Sequence, residues 1–351
     1  MGWRRAPGAY GLLFLGAFGG APACAADAIA DFYAGRNVQI LVGASVGGGY
    51  DLVARLIASR LGGFIPGNPK IVVQNMPAAG GLSMANNLYN LAPRDGTVIG
   101  LPTNAVALEP RLRILSRAGG VANFDVTKFN WLGSAARLPQ ILYAWHKADV
   151  LTAADLKTKK LIVAALAVGS DSYVLPTVMN KVLGAQMQIV SGYEGHADTS
   201  VALERGEAQG YNNSYAGLMG NKPDWVRDKL VHILIQFGRE PLPQLPDVPT
   251  AIELASDPLD KAALGFYAYK YDLAYTLIAP PGVPADRVGA LRLAFDATMR
   301  DPKYQAAATR LQIPLNALDG DAATTIIHSI QTATEQVVEH MRDLMTPRSG
   351  E

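Results

Sequence analysis

Two hydrophobic periods alternate along the chain. Short apolar runs at Val38–Val42, Lys70–Gln74, Thr97–Leu101, Leu161–Ala165, Gln186–Val190, Lys229–Gln236 and Tyr275–Ala279 have the length and β-branched content of strands, with a shorter one at Gln209–Asn213. Between them lie stretches of helical period at Asp51–Leu61, Ser83–Leu91, Tyr173–Leu183, Asp198–Arg205 and Asp286–Arg300. In the first, Leu52 and Leu56 are expected to face inward with Val53 and Ile57. In the last, the apolar positions are Val288, Leu291, Leu293 and Phe295. Thr152 and Asp155 have the spacing of a capping box and open a short helix. Asp321–Met345 reads as one long terminal helix.

Strand–helix alternation is the signature of an α/β protein. Trp131–Ser134 and Ile141–Trp145 read as strands outside that rhythm. From Pro241 the segment PLPQLPDVPT is extended, because each proline restricts the residue before it. These features predict two α/β blocks, the second inserted into the first. Domain I takes residues 26–138 and 239–351 and domain II takes residues 139–238, with a ligand cleft between them that hinge closure can bury.

Composition narrows the class. The chain has 351 residues, 49% hydrophobic and 17% charged, which is globular and long enough for two cores. A net charge of +1 gives no basic field for nucleic acid. The first 25 residues have the parts of a secretory signal: Arg4 and Arg5, an apolar stretch from Ala9 to Phe18, and Ala23-Cys24-Ala25 as an A-x-A cleavage site. The competing reading makes Cys24 a lipidated first residue, but Ala21-Pro22-Ala23 lacks the large aliphatic that such signals carry. Cleavage near Ala25 leaves a near-neutral periplasmic chain with no cysteine, and so no disulfide or thiol chemistry.

The stretch VGASVGGGYD, Val42–Asp51, joins a strand to a helix through three glycines. It is not G-x-G-x-x-G, since Leu52 holds the last position, and it lacks the G-K-[ST] of a phosphate loop. There is no G-x-S-x-G elbow. His146, His196, His232, His328 and His340 have no metal-ligand spacing. No cofactor is expected, and a cleft hydrolase built on Ser170 or Asp171 has no recognisable nucleophile–base arrangement behind it. What remains is a helix start with unpaired amides, a positive dipole end and no side chains in the way, which suits a carboxylate. The alternative is a tight turn with no ligand. Asp51 itself can occupy the place, or cap the helix and pair with Arg55.

The chain resembles the tripartite tricarboxylate transporter receptors, also called Bug or TctC-type solute-binding proteins. The resemblance rests on FYAGRNVQILVGASVGGGYDLVARLIA at 32–58, QNMPAAGG at 74–81, PRDGTVIG at 93–100, GYEGHAD at 192–198, ERGEAQG at 204–210, LPDVPT at 245–250 and APPGVPADRV at 279–288, in that order. It implies a bilobed periplasmic-binding-protein fold of type II, the Venus flytrap. It also implies capture of a small organic carboxylate by a non-catalytic monomer that docks on membrane permease subunits. A sensor component presenting the solute to a signalling receptor is the alternative. The implied ligand loops are Ala44, Ser45, Gly47, Gly48, Gly49 and Tyr50 from the first lobe, and Gly169, Ser170 and Asp171 from the second. Tyr193, Gly195 and Asn213 follow in the second lobe, with Asn75, Gly80, Gly81, Thr103 and Asn104 as weaker candidates from the first. Ser45 and Val46 depart from the commonest form, which has proline before glycine. Asp171 puts an acid where a carboxylate is expected; it either caps its helix or faces the cleft and favours an amino or hydroxyl group there. Tyr50, Tyr173, Tyr193, Tyr211 and Tyr215 lie near the implied loops, which suits an aromatic acid or ordinary packing.

Overall fold

A computed structural model describes residues 1–2, 22–114 and 120–347. The expected signal, residues 1–25, falls mostly outside the described residues, and a first helix, α1 (Pro22–Tyr33), runs through the expected cleavage site. No helix among the described residues is long and apolar enough to cross a membrane.

The strands form two mixed sheets. β1 (Asn37–Val42), β2 (Lys70–Asn75), β3 (Val98–Leu101) and β4 (Asn130–Ala136) enter the first. The chain then builds the second from β5 (Gln140–Trp145), β6 (Lys160–Ala165), β7 (Gln186–Ser191), β8 (Gly210–Ser214) and β9 (Val231–Phe237). It returns to the first with β10 (Ala274–Ala279) and β11 (Leu318–Asp319). The spatial orders are β11-β4-β10-β3-β1-β2 and β7-β6-β8-β5-β9. β1 runs parallel to β2 and β3, and β6 parallel to β7 and β8, as strand–helix–strand crossovers require. The two strands outside the rhythm are the antiparallel ones: β4 pairs with β10, and β5 with β8 and β9. The architecture is a bilobed α/β fold.

Around the sheets lie α2 (Gly49–Leu61), α3 (Leu82–Asn90), α4 (Ala105–Leu112), α5 (Asp171–Leu183), α6 (His196–Arg205), α7 (Tyr215–Asn221), α8 (Pro223–Arg227), α9 (Ala251–Leu254), α10 (Pro258–Asp272), α11 (Ala285–Arg300), α12 (Pro302–Arg310), α13 (Gly320–Thr332) and α14 (Glu335–Met345). Thr152 and Asp155 do form the capping box of a short 3-10 turn at Ala153–Lys157. Three expectations need correction. The terminal helix is two helices, broken at Ala333, because Thr334 leaves the helical conformation and its hydroxyl accepts the Val337 amide as the N-cap of α14. In α2 the buried stripe is Val53, Ile57 and Leu61, which turns Leu52 toward solvent at 46% exposure. In α11, Leu293 is likewise on the outer face, at 72% exposure.

One apolar core lies under α2 and α11, around Ile40, Val53, Ile57, Leu277 and Phe295. A second belongs to the other sheet, around Tyr143, Trp145, Tyr211 and Trp225. The largest is shared. It joins Leu41, Met84 and Trp131 of the first sheet's layers to Leu142, Val163 and Leu234 of the second through Leu175, Leu264, Tyr271 and Met341.

Candidate functional site

The glycine loop between β1 and α2 is shaped from within. Gly47 adopts φ +82°, a conformation glycine takes without a Cβ clash. Its amide donates to Asp51 Oδ2 at 2.9 Å, and Arg55 Nε donates to the same oxygen at 3.1 Å. Arg55 also reaches Asn75 Oδ1, whose amide nitrogen donates to the Ala44 carbonyl at 3.0 Å. The Arg55 guanidinium and the Gly47 amide hold the Asp51 carboxyl down at about 2. Asp51 and Asn75 are thus loop supports, and of the three glycine amides Gly47's is already committed. Gly48 donates to the Ser45 carbonyl at 3.4 Å. Gly49 opens the helix with the dipole's positive end behind it.

The weaker first-lobe candidates form the seat beneath this loop. Thr103 donates to the Gly80 carbonyl at 2.9 Å, and the Asn104 amide donates to Tyr50 Oη at 2.9 Å. Tyr50 stands edge-on to Tyr275 with ring centroids 5.0 Å apart, and burial pushes both phenols up. Neither phenol is an acid at neutral pH.

Gly47 and Gly49 face a cavity of about 540 Å³ between the sheets. From the first lobe, Leu52, Tyr275 and the stretch Arg310–Pro314 line it. From the second come His196 at the start of α6, Asn213 and Ser214 at the end of β8, and Gly217 in α7. Ser214 caps α7 by accepting the Gly217 amide at 3.0 Å. Asn213 Oδ1 accepts the Ser214 amide at 2.7 Å, which fixes the side chain so that Nδ2 is left as a donor. Nδ2 lies where a Cβ on residue 217 would come within 2.9 Å, so a larger residue there would displace the Asn213 side chain. His196 Nδ1 bonds Tyr211 Oη at 2.7 Å.

Of the residues expected in the site, then, Gly47, Gly49 and Asn213 meet in one cavity. Ala44, Ser45, Gly48 and Tyr50 build the loop around it. Gly195 is the N-cap of α6, and Tyr193 is half-buried against the second sheet's core. Gly169 lines a separate cavity with Tyr173, Ile114 and Met345. Ser170 is turned inward on its own loop, donating to the Ala167 carbonyl at 2.7 Å. Asp171 neither caps α5 nor stands free in the cleft. Tyr267 donates to its Oδ1 at 2.8 Å, and Lys270 Nζ lies 2.6 Å from the same atom. Lys270 is 6% exposed and stacks over the Tyr267 and Tyr271 rings at 4.3 and 5.3 Å. This cation neutralises the acid that was expected to repel a ligand. Among the expected tyrosines, Tyr211 is core. Tyr275 and Arg310 line the cleft but carry no motif; they reach it only through the return of the chain after β9. Among the described residues no three His, Cys, Asp or Glu side chains gather as a metal site.

The arrangement offers the Gly49 end of α2, the amide side chains of Asn213, Asn221 and Gln312 and one guanidinium to an anion, with no carboxylate lining the cavity. A curated relative, the UPF0065 protein in the gbd 5′ region of Cupriavidus necator, is 24% identical over 311 residues, 84% of each chain. A TctC solute-binding protein from Polaromonas superposes with TM-score 0.66 at 16% identity, over 89% of this chain and 98% of that one. A Rhodopseudomonas palustris protein solved with adipate superposes with TM-score 0.60 at 20% identity, over 90% of this chain and 99% of that one. The family described as tripartite tricarboxylate transporter family receptor matches residues 53–341, most of the length. The chain belongs to that family, the TctC receptors.

Proposed function

We propose that the protein is an extracytoplasmic solute-binding receptor that captures a small organic carboxylate and delivers it to the permease of a tripartite tricarboxylate-type transporter. The observation that carries this reading is the inter-sheet cavity, where Gly47 and Gly49 from one lobe face Asn213 from the other with no acidic side chain between. The R. palustris neighbour holds adipate, a carboxylate, on the same fold. The signal-like first 25 residues support export to the periplasm. Closure of the two lobes removes water from the anion and strengthens each donor. The receptor binds and releases its solute as a monomer, without turnover. Asn213 and the glycine loop are the ligand contacts; Ser170 and Gly169 stand outside them.

A thermal-shift screen against mono-, di- and tricarboxylates, aromatic acids and amino acids tests this. A ligand at 100 times its Kd adds about 2.7 kcal/mol. Loss of the shift in Asn213→Leu supports the site. A protein that no carboxylate stabilises, but another solute class does, refutes the reading.

A further inference from the structure

The cleft is asymmetric in a way that selects among carboxylates. Arg310 ends α12 and is the one Arg or Lys side chain lining it. Among the described residues the Arg310 side chain makes no ion pair or hydrogen bond, whereas those of Arg55, Arg60, Arg111, Arg292 and Arg342 do. Asn213 lines the cavity at 8% exposure, and with Oδ1 taken by the Ser214 amide its Nδ2 carries the side chain's free donors. Beside the Gln312 amide and the Tyr275 phenol, the first-lobe wall carries an aliphatic strip: Leu52, Leu311, Ile313 and Pro314. Leu52 and Leu311 are 46% and 48% exposed, large aliphatic groups left at the cleft with nothing packed on them.

One cation, one buried amide donor and one aliphatic wall describe an amphipathic ligand. Resting on the carboxylate reading above, we propose that the solute is a monocarboxylate with an apolar body: Arg310 and Asn213 Nδ2 take the carboxylate, and Leu52, Leu311 and Ile313 cover the body. A second carboxylate on the same chain would lie against that wall without a cation and lose its hydration there. Arg310 is then a specificity residue supplied by a segment far from the glycine loop in sequence.

Calorimetric titration of the full chain with four probes decides it: hexanoate, adipate of the same carbon count, 3-phenylpropionate and uncharged hexanamide. The expected order places hexanoate and 3-phenylpropionate about tenfold or more tighter than adipate, with hexanamide silent. Arg310→Gln should weaken hexanoate about tenfold or more and Arg310→Lys less, with melting temperatures unchanged because the side chain is exposed. Adipate binding more tightly than hexanoate, or Arg310→Gln leaving hexanoate unchanged, overturns the inference while the carboxylate reading stands. Silence of the wild type toward hexanoate, adipate and 3-phenylpropionate alike, with binding of a solute that carries no carboxylate, overturns both.

Discussion

Asp51 sits where a ligand carboxylate was expected to sit, and its charge is spent on the loop. It ties the Gly47 amide to Arg55 and leaves Gly49 at the open end of α2. Its folded pKa of about 2 is below the ordinary aspartate value of about 3.9. A depressed carboxyl contributes stability above the unfolded value and loses it as pH falls toward the folded one. Asp51→Asn should therefore cost about 1.5–3 kcal/mol at pH 7, the range for a hydrogen bond to a charged group. The gap between wild type and variant should narrow below about pH 4 and close near pH 2. Urea unfolding across that range measures it. A gap independent of pH would mean that Asp51 acts through shape and not charge. The same residue marks a limit of reading the sequence. The pairing with Arg55 and the chance that Asp51 occupies the loop were both legible, while the choice of the Gly47 amide depends on a backbone turn at φ +82° that spacing does not encode.

At the scale of elements, strands and caps read well because their signals are local. β1, β2 and β6 begin and end within a residue of the apolar runs, and the Thr152–Asp155 box is present. The misreadings occur where two patterns share one stretch. Asp321–Met345 keeps helical period throughout, and Thr334 breaks it only because its hydroxyl captures the Val337 amide. Leu52 is apolar at helical spacing, yet Val53 and Ile57 own the buried stripe, since the sheet and α11 lie on that side. Helices α10 and α12 were missed: the first has aromatic and charged positions that blur its stripe, and the second is a short run of alanines with only Tyr304 and Ala308 buried. Arg310 ends α12 and its apolar neighbours follow it, so that stretch of the cleft wall was hidden with the helix. Thr334 gives the test at this scale. Thr334→Ala should lose about 1 kcal/mol and Thr334→Ser very little, measured by the urea midpoint. An equal loss in both would point to the threonine methyl and not to the cap.

Across the whole molecule, the two sheets do not have separate interiors on every side. The largest core runs from Leu41 and Trp131 through Leu264 and Tyr271 to Leu175 and Val163. α5, which follows β6 of the second sheet, is held by α10 through Asp171–Lys270 and by α14 through Lys181 on the Asp343 carbonyl. Beside this seam the Leu138 amide, in the connection from β4 to β5, donates to the Tyr271 carbonyl of α10 at 2.8 Å. A shared core predicts one cooperative unfolding transition, with equal calorimetric and van't Hoff enthalpies; two resolved transitions would contradict it. The ion pair gives a sharper test. Lys270 is 6% exposed and Asp171 is 22% exposed, so removing the acid strands a buried cation, while removing the lysine leaves an acid that water still reaches. Asp171→Asn should then cost about 3 kcal/mol or more, and Lys270→Met less. The double variant should cost less than the sum of the two, with a coupling of about 1–3 kcal/mol. Additive losses in that cycle would mean that α5 and α10 are held together by packing alone, and that Asp171 is free to meet a ligand after all.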